Sequence, residues 1–250
     1  MPELRDPPVV WAALRYSKAG TGRFTSARDM ARLMERAIKR AQIPVAYTSG
    51  FSPHQRVSYA FPAPTGAASL AEYLLVGLTR ADEPAVTQQA LNAELPRGIV
   101  VESIEHTSDR HWLIGLAASE WRFDWPALGS DLWEADHLLA DAVEAFMDSE
   151  TVIIRRRAKS GFSDQDVRGA VTKLKATEED QHPVVRAVTN QAEPLIRPRD
   201  VLAGLIALSP ALAAWGAPMV TRLAQGYLDA DGRVVNLGTL VSCTTRTDGS

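Results

Sequence analysis

Cys243 is the only cysteine in 250 residues, which excludes an intrachain disulfide, a CxxC zinc site and a thiolate-held iron–sulfur cluster. Histidine is nearly as scarce. His54, His106, His111, His137 and His182 are scattered, with no H-x-H or H-E-x-x-H pair. Carboxylates joined by a single histidine are the one metal arrangement left open, and the expectation is neither metal nor cofactor. No apolar run approaches the roughly 20 residues of a membrane-spanning helix. The longest, residues 201–215, is interrupted by Gly204, Ser209 and Pro210. The first eight residues, MPELRDPP, are polar and proline-rich, unlike a signal peptide. A cytoplasmic protein with no membrane partner is expected.

What is present is an uneven distribution of charge. The chain sums to −3, yet residues 15–56 hold nine Lys or Arg against Asp29 and Glu35, and residues 151–175 hold seven against Asp164 and Asp166. The remainder is strongly acidic. Such asymmetry gives a near-neutral protein one face suited to anions, most often a phosphate backbone. Two solvated basic faces, balanced elsewhere for solubility, are the alternative.

Hydrophobic patterning predicts an α+β protein of two tandem ferredoxin-like (βαββαβ) units. A strand over 9–16 leads through a glycine-bearing loop to a helix that starts at Ser26 and Asp29, which stand at capping-box spacing. Met30, Leu33, Met34, Ala37, Ile38 and Ala41 hold helical period until Pro44. Strands over 56–61 and 72–78, a helix over 84–95 and a strand over 99–104 complete the first unit. The second half reads in the same order. It has a strand over 121–125, a helix over 132–147, strands over 152–158 and from near Val167 or Val184, a helix over 197–208 and a strand over 220–228. The predicted domains are residues 1–108 and 109–230, meeting between about 105 and 120, with 231–250 a polar tail.

On the first helix a spacing of four aligns Arg28, Arg32, Arg36 and Arg40 opposite the apolar residues. Arginine's planar fork suits bidentate phosphate contacts. Arg15, Lys18 and Arg23 lie close enough in sequence to join this surface. His54, in a turn that includes Tyr47 and Gly50, is placed to act as general acid or base near neutral pH, or simply to hold the turn. Glu72 opens the next strand, to orient Arg15 or His54 or to form a structural salt bridge. Arg23, Arg32, His54 and Glu72 are expected to converge on one groove.

These residues carry a family pattern. Arg15-Tyr16-Ser17-Lys18-x-Gly20, Arg23-Phe24-x-Ser26-x-x-Asp29-x-x-Arg32, Ile43-Pro44-x-Ala46-Tyr47-x-x-Gly50-Phe51-x-Pro53-His54 and Ser69-x-x-Glu72-Tyr73 resemble the uncharacterised radical-SAM-linked protein family. The resemblance is dense over 15–73. It is thin later, at Asp166-Val167-Arg168 and Arg197-Pro198-x-Asp200-Val201-Leu202. It implies a protein partner, either a radical SAM protein encoded alongside or, for the stand-alone actinobacterial type, a ribonuclease. Two departures stand out. Ala27 replaces a histidine usual before Asp, and Gln55 replaces the second proline of Pro-His-Pro. A single cysteine also keeps this chain from being a radical SAM enzyme itself.

Tandem ferredoxin-like units with a basic groove also resemble CRISPR-repeat-processing endoribonucleases in fold and charge alone, and this fold hosts many functions. The first expectation is an accessory RNA-binding or RNA-processing protein. The alternatives are a metal-independent RNA-acting enzyme using His54, and a protein–protein adaptor.

Overall fold

The computed structural model describes residues 7–128, 132–158, 161–179, 182–191 and 193–238. The first half runs β1 (Val10–Lys18), α1 (Ala27–Arg40), β2 (Val57–Ala60), β3 (Ala68–Leu78), α2 (Pro84–Glu94) and β4 (Ile99–Thr107). The second runs β5 (Ala118–Asp124), α3 (Leu132–Asp148), β6 (Ile153–Ala158), β7 (Gly161–Asp166), β8 (Val171–Glu179), β9 (His182–Asn190), α4 (Pro198–Leu208), β10 (Met219–Leu228) and β11 (Val234–Asn236). Among the described residues, no helix is long and apolar enough to cross a membrane.

The protein is α+β, built on one large mixed sheet. Nine strands join in the order β4-β1-β3-β10-β5-β9-β8, with β2 also on β3 and β11 on β10. Within each half the neighbours are antiparallel. The halves meet in a parallel pairing of β3 with β10, confined to Ala68↔Thr221 and Ser69↔Arg222. Separate sheets were expected from sequence, and strand length explains the difference. The four residues of β2 cover only Tyr73–Val76 of the eleven-residue β3. The uncovered edge at 68–69 offers backbone groups that need partners, and β10 supplies them.

Both helix pairs pack on the same face. Met30, Met34, Ala37 and Ile38 of α1 and Leu91 of α2 meet Leu14, Tyr16, Leu74 and Val76. Leu139, Val143 and Phe146 of α3 and Val201 and Leu205 of α4 meet Trp121, Phe123, Val185 and Ala187. Arg222 pairs with Trp121 across β5 and reaches Glu72 on β3, so the two faces are continuous. On the other face Tyr73 packs on Trp112, at 5.7 Å between ring centres, with Leu116 buried beside it.

The second half differs from its sequence reading in its strands, which are more numerous. Residues 152–158 were predicted to join the main sheet, but β6 pairs with β7 as a separate two-stranded hairpin. In the main sheet β9 lies beside β5, and β8 forms the outer edge. In the tail, β11 extends β10, and residues 239–250 lie outside the described residues.

Helix α4 sits close to α3 because Gly204 has no side chain. A Cβ there would stand 2.7 Å from the Phe146 ring, 3.0 Å from Val167 and 3.1 Å from Val152. Alanine at this position gains about 1 kcal/mol in helix propensity, but overpacking costs about 1–3 kcal/mol. Gly204→Ala is therefore expected to lower the urea midpoint of unfolding. A raised midpoint would show the packing to be loose.

Candidate functional site

The basic surface begins with the start of α1. The Asp29 backbone N–H donates to Ser26 Oγ at 3.2 Å, and Ser26 Oγ donates to the Asp29 carboxylate at 2.7 Å. Ser26 and Asp29 thus fix where the helix starts and which face it buries. With Met30, Met34, Ala37 and Ile38 inside, Arg28, Arg32, Arg36, Lys39 and Arg40 are all exposed. Arg32 meets Asp29 only at 3.8 Å, and Arg40 pairs with Glu94 of α2 at 3.1 Å. Exposed pairs of this kind contribute about 0–1 kcal/mol. Arg28, Arg36 and Lys39 have no ion pair among the described residues.

The turn after α1 folds back onto the helix. Tyr47 and Gln55 form a β-bridge, the Thr48 N–H donates to the His54 carbonyl at 2.9 Å, and the His54 N–H donates to Thr48 Oγ1 at 3.0 Å. Gly50 takes φ +120° in this loop. Gln55 Nε2 donates to the Glu35 carbonyl of α1 at 3.3 Å. The exposed His54 therefore shares a shallow cleft of about 300 Å³ with Arg32, Arg36, Lys39 and Tyr47. Arg32 and Arg36 also line a second cleft of about 450 Å³ toward Glu94–Pro96 of the α2 end. They form a ridge between the two.

Arg15, Lys18, Arg23 and Glu72 line neither cleft. Strand alternation sends Arg15 to the opposite face of β1 from Leu14 and Tyr16, beside its register partner Tyr73. Lys18 is buried and donates from Nζ to the Ala63 and Pro64 carbonyls, at 2.8 and 3.4 Å. Burial pulls its ammonium below the ordinary lysine pKa. Arg23 donates from Nε to the Gly66 carbonyl at 2.6 Å. The Glu72 carboxylate accepts from the Ala63 N–H at 3.2 Å and forms an ion pair with Arg222 Nη2 at 3.3 Å. The expected convergence thus divides. Arg32 and His54 meet beside α1, while Arg23 and Glu72 hold the 61–66 loop.

Sequence reasoning missed Arg222. It is 1% exposed, stacks over Trp121 at 4.8 Å from the ring centre and hydrogen-bonds Gln225. Its signal was a lone cation inside the predicted strand at 220–228. Among the described residues, no three His, Cys, Asp or Glu side chains cluster so as to hold a metal ion.

Comparison with protein families matches residues 12–198 to a model described as an uncharacterized protein conserved in bacteria, DUF2344. No curated protein matches the chain. The matched span takes in α1, the His54 turn and the β6–β7 hairpin, and ends at the first residue of α4.

Proposed function

We propose that this chain, which belongs to the DUF2344 family of uncharacterized proteins conserved in bacteria, binds RNA through the outer face of α1. The observation that carries this reading is the ridge itself. Arg28, Arg32, Arg36 and Lys39 project from a rigid helix, largely without ion-pair partners among the described residues, and Arg32 and Arg36 stand between two open clefts. Guanidinium groups so placed can bind successive phosphates.

The β6–β7 hairpin offers a second contact of the same kind. Arg155 and Arg157 are exposed on one face, and Arg155 stacks on the exposed Phe162 ring at 4.9 Å. Base stacking on aromatic and guanidinium planes is the usual means of holding single-stranded RNA. We read the strand orders β4-β1-β3-β2 and β10-β5-β9-β8 as two ferredoxin-like units fused through β3 and β10. On this reading the protein acts in the cytoplasm as an accessory factor, beside a ribonuclease or a radical SAM protein. The test is filter binding of bulk cellular RNA over a range of salt. Affinity should fall steeply as salt rises, and an affinity indifferent to salt would exclude this mode of binding.

One observation favours a catalytic variant of the same reading, in which His54 takes or gives a proton. The imidazole is exposed in the cleft beside Arg32 and Arg36, which are placed to steady a phosphate. As a binder alone, the protein should lose less than about threefold in RNA affinity on His54→Ala, since the arginines of the ridge would still neutralise the phosphates. RNA cleavage by the wild type that is abolished in His54→Ala with affinity intact would establish the catalytic variant instead.

A further inference from the structure

Over the join of the two halves lies a cleft of about 350 Å³ that the α1 surface does not explain. That volume is within the range of small-molecule sites. Its floor is Trp121, Ser119 and Arg222, and its walls are the 61–65 loop and the 195–198 segment. Ala27, the first residue of α1, and Pro198, the first of α4, both line it, so two helix N-termini face one cavity. Asp29 and Asp200, which sit in the first turns, are engaged in their own caps, and neither lines the cleft.

Helix starts alone would not make a site. The second observation is Arg222, whose Nε is buried and has no acceptor. Beneath the cleft, Arg222 and Lys18 are both buried, and Glu72 is the one carboxylate paired with either among the described residues. The cluster therefore carries an excess positive charge. Arg197 adds another cation at the rim, and among the described residues no Asp or Glu lines the cavity. Thr189 and Gln191 provide further polar atoms, while Phe61, Ile196 and the Trp121 ring provide apolar wall. A cleft lined by two guanidinium groups, and by no carboxylate among the described residues, suits an acceptor-only group.

We propose that this cleft binds a small oxyanion, a phosphate or carboxylate carried on a flat apolar body, with the anion toward Arg222 and Arg197 and the ring along Phe61 and Trp121. Such a ligand bridges the two halves and is distinct from RNA held on α1.

The test is thermal unfolding and calorimetry of the full chain with inorganic phosphate, AMP or benzoate at millimolar concentration. At least one should bind saturably and raise Tm by roughly 5 °C at a hundredfold excess over Kd. AMP binding better than phosphate assigns a phosphate ester, and benzoate binding assigns a carboxylate. Arg197→Gln, at an exposed position, should weaken binding about tenfold. Ala27→Trp, exposed at the mouth, should abolish it while leaving RNA affinity unchanged, and Arg32→Ala should do the reverse. Arg222→Gln is not needed for the test, since its burial confounds binding with folding. If none of the three probes binds folded protein, or if binding ignores both Arg197→Gln and Ala27→Trp, the proposal is overturned whether or not α1 binds RNA.

Discussion

Replacing Glu72 with alanine should destabilise the protein by about 3–5 kcal/mol, more than replacing Arg222 with methionine. Both side chains are buried, at 2% and 1% exposure, and lie 3.3 Å apart. Removing one partner of a buried pair leaves an uncompensated charge, and the two removals are unequal. Without Glu72, Lys18 and Arg222 remain as two buried cations. Without Arg222, the Glu72 carboxylate keeps the Lys18 ammonium near it, and methionine fills much of the vacated volume. The Ala63 N–H also loses its acceptor when Glu72 is truncated. The double variant Glu72→Ala/Arg222→Met should be more stable than the sum of the single losses by about 1–3 kcal/mol. Urea unfolding of the four proteins completes the cycle. Strictly additive losses would mean that the pair does not hold β3 to β10.

Much of the first half could be read from its residues. The alternation through β1, the Ser26–Asp29 cap and the stop at Pro44 each act locally, so pattern was enough to place α1 and its exposed arginines. The sharing of sites was less legible. Period two already separates Arg15 from Tyr16 and Lys18, yet sequence proximity suggested that all of them join α1. The fusion of the halves had no local signal, since it rests on two residue pairs whose partners lie about 150 positions apart. In the second half, 152–158 has the composition of a central strand, and only the tertiary context sends it to a hairpin. Arg222 escaped notice for a related reason. A strand pattern says which residues face inward, but not that an inward cation will find a carboxylate from the other half.

The second large effect concerns the ridge. Arg28→Ala/Arg32→Ala/Arg36→Ala should lower RNA affinity about a hundredfold at roughly 0.1 M salt, because each single-strand phosphate neutralised contributes about 0.7 to the slope of log K against log salt. Three such contacts gain about two log units of affinity as salt falls from about 1 M to about 0.1 M. Stability is not the confounding variable. All three side chains are exposed, their only ion pair among the described residues is the 3.8 Å contact of Arg32 with Asp29, and alanine favours the helix.

The salt titration of RNA binding by the wild type and this triple variant, side by side, tests the account most directly. The wild type should bind tightly at low salt with a steep negative slope, and the variant's slope should be shallower by about 2. Equal slopes for the two proteins, or a wild type whose affinity ignores salt, would contradict the assignment of α1 as the RNA-binding surface.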